Sequence, residues 1–402
     1  MDDVERAFRE AHGQAVATLT RLFGDISLAE DAVQDAFVTA VQRWPRDGVP
    51  DNPPGWIVTT ARNRAVDVVR RGRRGRELAE QVAVDHRRQD SRSEDAELMH
   101  DDQLRLIFTC CHPAIRTEHQ VALTLRLIAG LTPAEVASAF LVSEETMAKR
   151  LVRAKYKIKS ARIPYRVPDE AELPDRLRAV LSVLYLIYNA GADDIRNRWD
   201  LRAEAIRLAR VLVDLMPDEP EAVGLLALML LNEARMPARG GGDDVVLLQY
   251  QDRSVWNRSL IAEGHELVLV CLRSRRPGPF QLQAAIQGIH CAAPHYRDTD
   301  WPTIVRFYDR LLAVMPTPVV ALNRAVALAE IEGPATGLTM LDELADQLAE
   351  YHLLHASRGA MLERLGRHEE AANAYAAAAE VARTQPEIQF LRRRSEALER
   401  EV

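Results

Sequence analysis

From Ala29 to Trp44, apolar residues stand at positions 29, 32, 33, 36, 37, 40, 41 and 44. That spacing paints one face of a helix. Helical patterns of this kind return along the rest of the chain, broken by Pro and Gly. The composition points the same way. It is 47% hydrophobic and only 5% aromatic, a balance that favours helices packed on helices over sheets. An all-α protein of two or three domains is expected for 402 residues. No apolar run reaches the length of a membrane span. The N-terminal MDDVERAFRE lacks the apolar core of a signal peptide. A cytoplasmic protein with no membrane partner is expected.

The net charge of −7 is unevenly spread. Residues 1–165 hold 25 Lys and Arg against 24 Asp and Glu, whereas the remainder holds 27 against 35. Two basic clusters stand out in the first part. One is Arg62, Arg64, Arg70, Arg71, Arg73 and Arg74; the other is Lys149, Arg150, Arg153, Lys155, Lys157, Lys159 and Arg162. Local clusters, rather than the total, decide phosphate attraction. The four cysteines form no C-x-x-C pair, so the zinc and thioredoxin patterns are absent. Cys110, Cys111 and His112 are adjacent, and neighbours on a helix point about 100° apart. Buried thiols are expected there, with no metal and no cofactor. Catalysis is not expected either: there is no phosphate loop, nucleophile motif or H-E-x-x-H.

The chain divides into four stretches. Residues 1–74 read as a helical module with helices near 4–23, 28–44 and 56–71. Ser27 and Glu30 suggest a capping box for the second helix, and the Pro-rich loop 45–55 ends it. Residues 75–97 are polar, lack an apolar period and read as a flexible linker. Residues 98–165 form a second helical module, closed by Pro164 and Pro168. Residues 166–402 alternate helices with short breaks. Met216–Pro217 and Met315–Pro316 lie close to three 33-residue units apart, and Gly333 and Gly366 are 33 apart. GRHEEAANAYAAAAEVA resembles a tetratricopeptide (TPR) helix.

Within the second module, Thr132, Pro133 and Glu135 predict a capped short helix. Ser143 then caps another, with Glu144 and Glu145 in its first turn. Val136, Phe140, Val142, Met147 and Leu151 share one core. This is helix-turn-helix arithmetic, and it sets the second helix in the major groove. Ser143, Glu144, Thr146, Lys149, Arg150 and Arg153 would face DNA.

GLTPAEVASAFLVSEETMAKRLVRAK resembles the fourth conserved region of bacterial RNA polymerase sigma factors. LAEDAVQDAFVTAVQRW followed by GWIVTTARNRAVDVVRR resembles the second. Their order and spacing are those of the extracytoplasmic-function class, in the subgroup with a TPR-like C-terminal extension. The resemblance implies that core RNA polymerase docks on Glu30, Asp31, Gln34, Asp35 and Phe37. It implies that Asn63, Arg64, Asp67, Arg70, Arg71 and Arg74 engage the −10 element, and that the helix-turn-helix reads the −35 element. A spacer of roughly 25 residues reaches about 80 Å when extended, enough to tether two modules on one promoter. The family turn commonly has Gly where this chain has Leu141. A non-glycine residue in a left-handed turn costs roughly 1 kcal/mol, which predicts a remodelled turn. A protein or peptide partner is expected for the C-terminal helices. A stand-alone helix-turn-helix regulator with a TPR-like sensor domain remains an alternative, as does a scaffold with merely solvated basic faces.

Overall fold

The computed structural model describes residues 3–71, 92–140, 142–190, 201–239, 245–274, 277–382 and 384–400. Every regular element among them is helical. The chain forms two compact units, 1–215 and 216–402.

In the first unit, α1 (Asp3–Phe23), α2 (Ile26–Asp47) and α3 (Pro53–Arg71) pack on one another. The buried face of α2 is the expected one from Ala29 to Ala40 and Trp44, except that Val41 is exposed. The cap of α2 is not the expected one. The Asp25 carboxylate accepts from the Ser27 and Leu28 amides at 2.9 and 3.2 Å, so the Ser27–Glu30 box is not formed. Pro45 lies inside the last turn of α2, which runs on to Gly48 at a φ of 84°. Pro53 and Pro54 begin α3 three residues earlier than expected, in the first-turn positions that need no amide donor.

Helix α4 (Arg92–Cys110) starts inside the stretch read as linker. Next come α5 (Thr117–Leu123), which runs into a π-helical turn (Thr124–Ile128), and then α6 (Pro133–Ala139) and α7 (Glu144–Ser160). The compact unit does not close at Pro164 and Pro168. It also takes in α8 (Leu173–Ala190) and α9 (Leu201–Leu215). Val180 and Leu184 of α8 and Leu208 and Leu212 of α9 line a small cavity with Ile107, Cys111, Thr124 and Ile128. Arg176 donates to the Phe108 carbonyl at 2.6 Å. Prolines interrupt a helix, but they do not interrupt packing; the core of the second module is completed by residues beyond them.

The two modules are docked, not held apart. Helix α1 packs on α4 and on the π turn. The approach is close enough that a Cβ on Gly13 would sit 2.6 Å from the Ile128 carbonyl oxygen. The Tyr165 hydroxyl donates to the Ala17 carbonyl at 2.8 Å, with the Asp102 carbonyl at 3.1 Å. Arg21 of α1 pairs with buried Asp102 of α4 at 2.8 Å.

The second unit is a run of helical hairpins: α10 (Pro220–Glu233), α11 (Arg258–Arg273), α12 (Pro279–Ala292), α13 (Trp301–Val314), α14 (Pro318–Glu332), α15 (Pro334–Asp342), α16 (His352–Arg364), α17 (His368–Val381) and α18 (Gln385–Glu399). Each packs on its neighbour in sequence. Gly333 and Gly366 follow α14 and α16 at φ of 98° and 71°, a left-handed turn that glycine adopts without steric cost. The 33-residue spacing is therefore the repeat of a helix pair. The Ala-rich TPR-like segment is α17, set between α16 and α18.

A chain ending at residue 165 loses one wall of the first unit's core. It is expected to lose its cooperative thermal transition in circular dichroism, whereas a chain ending at 215 keeps it. A cooperative melt of the 1–165 chain would contradict this packing.

Candidate nucleic-acid interface

Helix α3 buries Ile57, Ala61 and Ala65, and this turns Asn63, Arg64, Asp67, Arg70 and Arg71 outward, all of them exposed. Arg74 lies outside the described residues. Trp56 is half-buried, edge-on to the buried Trp44 at 5.5 Å.

The helix-turn-helix is capped as its sequence predicts. The Thr132 amide donates to the Glu135 carboxylate at 2.7 Å and the Glu135 amide to the Thr132 hydroxyl at 3.2 Å. The Ser143 hydroxyl accepts from the Thr146 amide at 3.2 Å. Met147, Leu151, Ala154 and Ile158 are the buried face of α7. Ser143, Glu144, Thr146, Lys149 and Arg153 are exposed, and Arg150 is half-exposed. Lys149 pairs with Glu145 at 2.5 Å, an exposed i,i+4 contact of small net worth. Leu141, and with it the turn expected to be remodelled, lies outside the described residues.

The face of α2 assigned to polymerase docking is divided. Asp31 and Asp35 are exposed and Gln34 half-exposed. Glu30 is not on the surface: it is 5% exposed, and Phe37 is buried, stacked near His12. One Glu30 oxygen accepts from Arg126 Nε at 2.5 Å, and the other accepts from Lys155. Arg126 is 3% exposed and also donates to the Leu131 carbonyl at 2.8 Å. Both cations belong to the second module. Burial pushes the Glu30 carboxyl up, but the Lys155 and Arg126 charges outweigh it and hold it below its ordinary value. Burial and then the Glu30 charge raise the neighbouring Asp31 carboxyl.

His12 lies beside this pair, its ring stacked near that of Phe37. Burial, reinforced by Arg126, lowers it to about 4, so it is neutral near pH 7. Sequence reasoning missed Arg126 and His12. The available signal was a lone arginine in the apolar run VALTLRLIAG, since a charge in such a run needs a buried partner. The thiols of Cys110 and Cys111 are buried. Burial raises Cys111 to about 12, and its sulfur lies 3.6 Å from the Thr124 hydroxyl. In the second unit a cavity of about 720 Å³ is walled by Tyr296, Trp301, Tyr308 and Tyr375, with the Glu330–Arg364 pair at its edge.

Residues 7–75 match sigma-70 region 2, and residues 176–271 match a family of unknown function, DUF6596. The uncharacterized protein R00370 of Rhizobium meliloti is 40% identical over 399 residues, which span 97% of this chain and 94% of that one. A Mycobacterium tuberculosis protein named "Probable ECF RNA polymerase sigma factor SigI" is 28% identical over 165 residues, 40% of this chain and 56% of that one. This chain belongs to one family with R00370, and its first module is of the sigma-70 region 2 kind. R00370 shares nearly the whole length, the helical C-terminal extension included. Among solved structures, the TPR domain of P58(IPK) is matched over 100% of this chain and 99% of that one, at 12% identity and a TM-score of 0.26. Among the described residues of this chain, no helix is long and apolar enough to cross a membrane.

Neutral His12 has a titration consequence. Its pKa is about 4 in the folded chain against an ordinary 6.5. Between those values the unfolded chain binds a proton that the folded chain refuses. Stability therefore falls as pH drops from 6.5 towards 4, by up to about 1.4 kcal/mol per pH unit for this group. The Glu30 pair, with its folded pKa depressed, holds through that window and is lost only as pH falls below the ordinary carboxylate range. Urea titrations from pH 7 to 4.5 check this: His12→Gln is expected to flatten the slope, and an unchanged slope would rule the residue out as its source.

Proposed function

We propose that this chain is an extracytoplasmic-function sigma factor that binds core RNA polymerase and directs initiation by engaging two promoter elements, α3 at the −10 element and α7 at the −35 element. The observation that carries this reading is the pair of exposed basic helix faces, one in each module, borne on a chain whose first module matches sigma-70 region 2. On α3, Asn63 and Asp67 offer amide and carboxylate groups for base edges, while Arg64, Arg70 and Arg71 hold phosphates. A base drawn from the stack near the loop before α3 costs a few kcal/mol, repaid by pocket contacts. Arg74 extends the same sequence cluster. On α7, Lys149, Arg150 and Arg153 supply phosphate and guanine contacts, and Ser143, Glu144 and Thr146 sit at the helix end nearest the groove floor. Asp31, Gln34 and Asp35 present the polymerase with an acidic edge, completed by Glu30 once that residue is released. The protein acts without catalysis and within the cytoplasm.

The C-terminal unit regulates this module through a protein or peptide partner. Its aromatic cavity suits an extended segment, with the ring walls taking apolar side chains and the Glu330–Arg364 pair taking polar ones.

Transcription by purified core enzyme plus this protein, run on a genomic promoter library, tests the reading. Discrete start sites that depend on the protein are expected. A stand-alone regulator would bind duplex DNA without core and select none. Removing one phosphate contact, as in Arg153→Ala, is expected to weaken promoter binding similarly across sequences and to reduce the salt slope by about one. An unchanged slope would take Arg153 out of the interface.

A further inference from the structure

The residue that the family resemblance places at the centre of the polymerase-docking face is the one this fold hides. We infer that Glu30, Arg126 and Lys155 form an intramolecular latch that closes the two sigma modules on each other, and that polymerase docking must exchange this pairing for its own. The inference rests on the sigma factor reading and deepens it.

Three observations support it. First, the interface is polar at its centre. A carboxylate from α2 meets a guanidinium from the π turn and an ammonium from α7, with His12 alongside. Arg21–Asp102 and the Tyr165 hydroxyl bonds flank it. A permanent core is built from apolar groups. Charged groups can be rehydrated when the faces part, so an ion-centred contact suits one that opens. Second, the pairing consumes functional groups on both sides. Glu30 is withdrawn from the acidic edge of Asp31, Gln34 and Asp35, and Lys155 is withdrawn from the basic stripe of α7. A closed chain therefore offers incomplete surfaces to polymerase and to DNA. Third, the closed form places α1 against the π turn with no room for a side chain at Gly13, where a Cβ would meet the Ile128 oxygen at 2.6 Å. In the proposed promoter complex each module must instead reach its own element with its face uncovered. Closure and promoter engagement are thus alternative states of one chain, and ligands that bind only one of them shift the balance.

The choice of α8 and α9 as a third wall follows. They pack on α4 and α5, so they stabilise the second module.

Distance measurement on the full-length protein tests this. The native cysteines among the described residues are buried, so spin labels can be directed to Val38→Cys on α2 and Lys157→Cys on α7, both exposed positions. The labelled protein without further substitution is expected to give one narrow, short distance. Lys155→Glu should shift the distribution outward and broaden it, whereas Lys155→Arg, which keeps the cation, should restore the short distance. Gly13→Leu, which touches no charge, should also open the chain. Circular dichroism confirms that each variant is folded. Both opened variants that keep Glu30 should bind core polymerase several-fold more tightly than wild type. Identical distances in all variants, or a broad distribution in the starting protein, would overturn the latch while leaving the sigma reading intact. Normal opening and rescue, with no variant binding core, would instead overturn the sigma reading and the exchange with polymerase.

Discussion

A carboxylate removed from water must be matched by cations and hydrogen bonds, or its desolvation cost of several kcal/mol goes unrecovered. Glu30 meets that requirement with two cations from a different module. Much of the first unit follows from it. Arg126 is held in turn by the Leu131 carbonyl, which fixes the loop leading into the helix-turn-helix. The π turn that carries Arg126 lies against α1, and this explains why His12 is buried neutral and why position 13 tolerates only glycine. Removing one partner of such a pair typically costs roughly 3–5 kcal/mol. The arrangement therefore couples the modules strongly while remaining separable by a competing charge.

The fold also divides labour between the parts of the extension. Its first two helices complete the core of the second module, and its remaining helices form a separate unit of hairpins with its own aromatic cavity. The match to DUF6596 spans residues 176–271, so it crosses from one compact unit into the next. A sequence family and a packing unit need not share a boundary. The extension thus belongs to the first unit at its start and to the second further on.

Much of this was legible from residues alone. The all-helical class follows from apolar periodicity, and the helix-turn-helix from two local capping motifs that the structure reproduces atom by atom. These signals are local, reaching three or four residues. What stayed hidden is non-local. Glu30 reads as a solvent-facing acid because helical spacing reports only which residues face the helix's own module; its partners lie 96 and 125 residues away. The capping box failed for a related reason. Asp25 offers a better-placed carboxylate, and Glu30 is drawn off by distant cations. Pro164 and Pro168 mark a break in the backbone but carry no information on what packs beyond them, so the unit ends at 215 and not at 165. The outward faces of α3 and α7 were read as exposed and are so, since none of the described residues of the first unit covers them.

A double-mutant cycle between Glu30 and Lys155 tests the central claim most directly. Equilibrium unfolding of the wild type, Glu30→Gln, Lys155→Met and the double variant gives their coupling energy. A buried, shared ion pair between the modules predicts a favourable coupling of at least about 1.5 kcal/mol, within the range for contacting residues. A coupling within about 0.5 kcal/mol of zero, as for independent sites, would contradict the account.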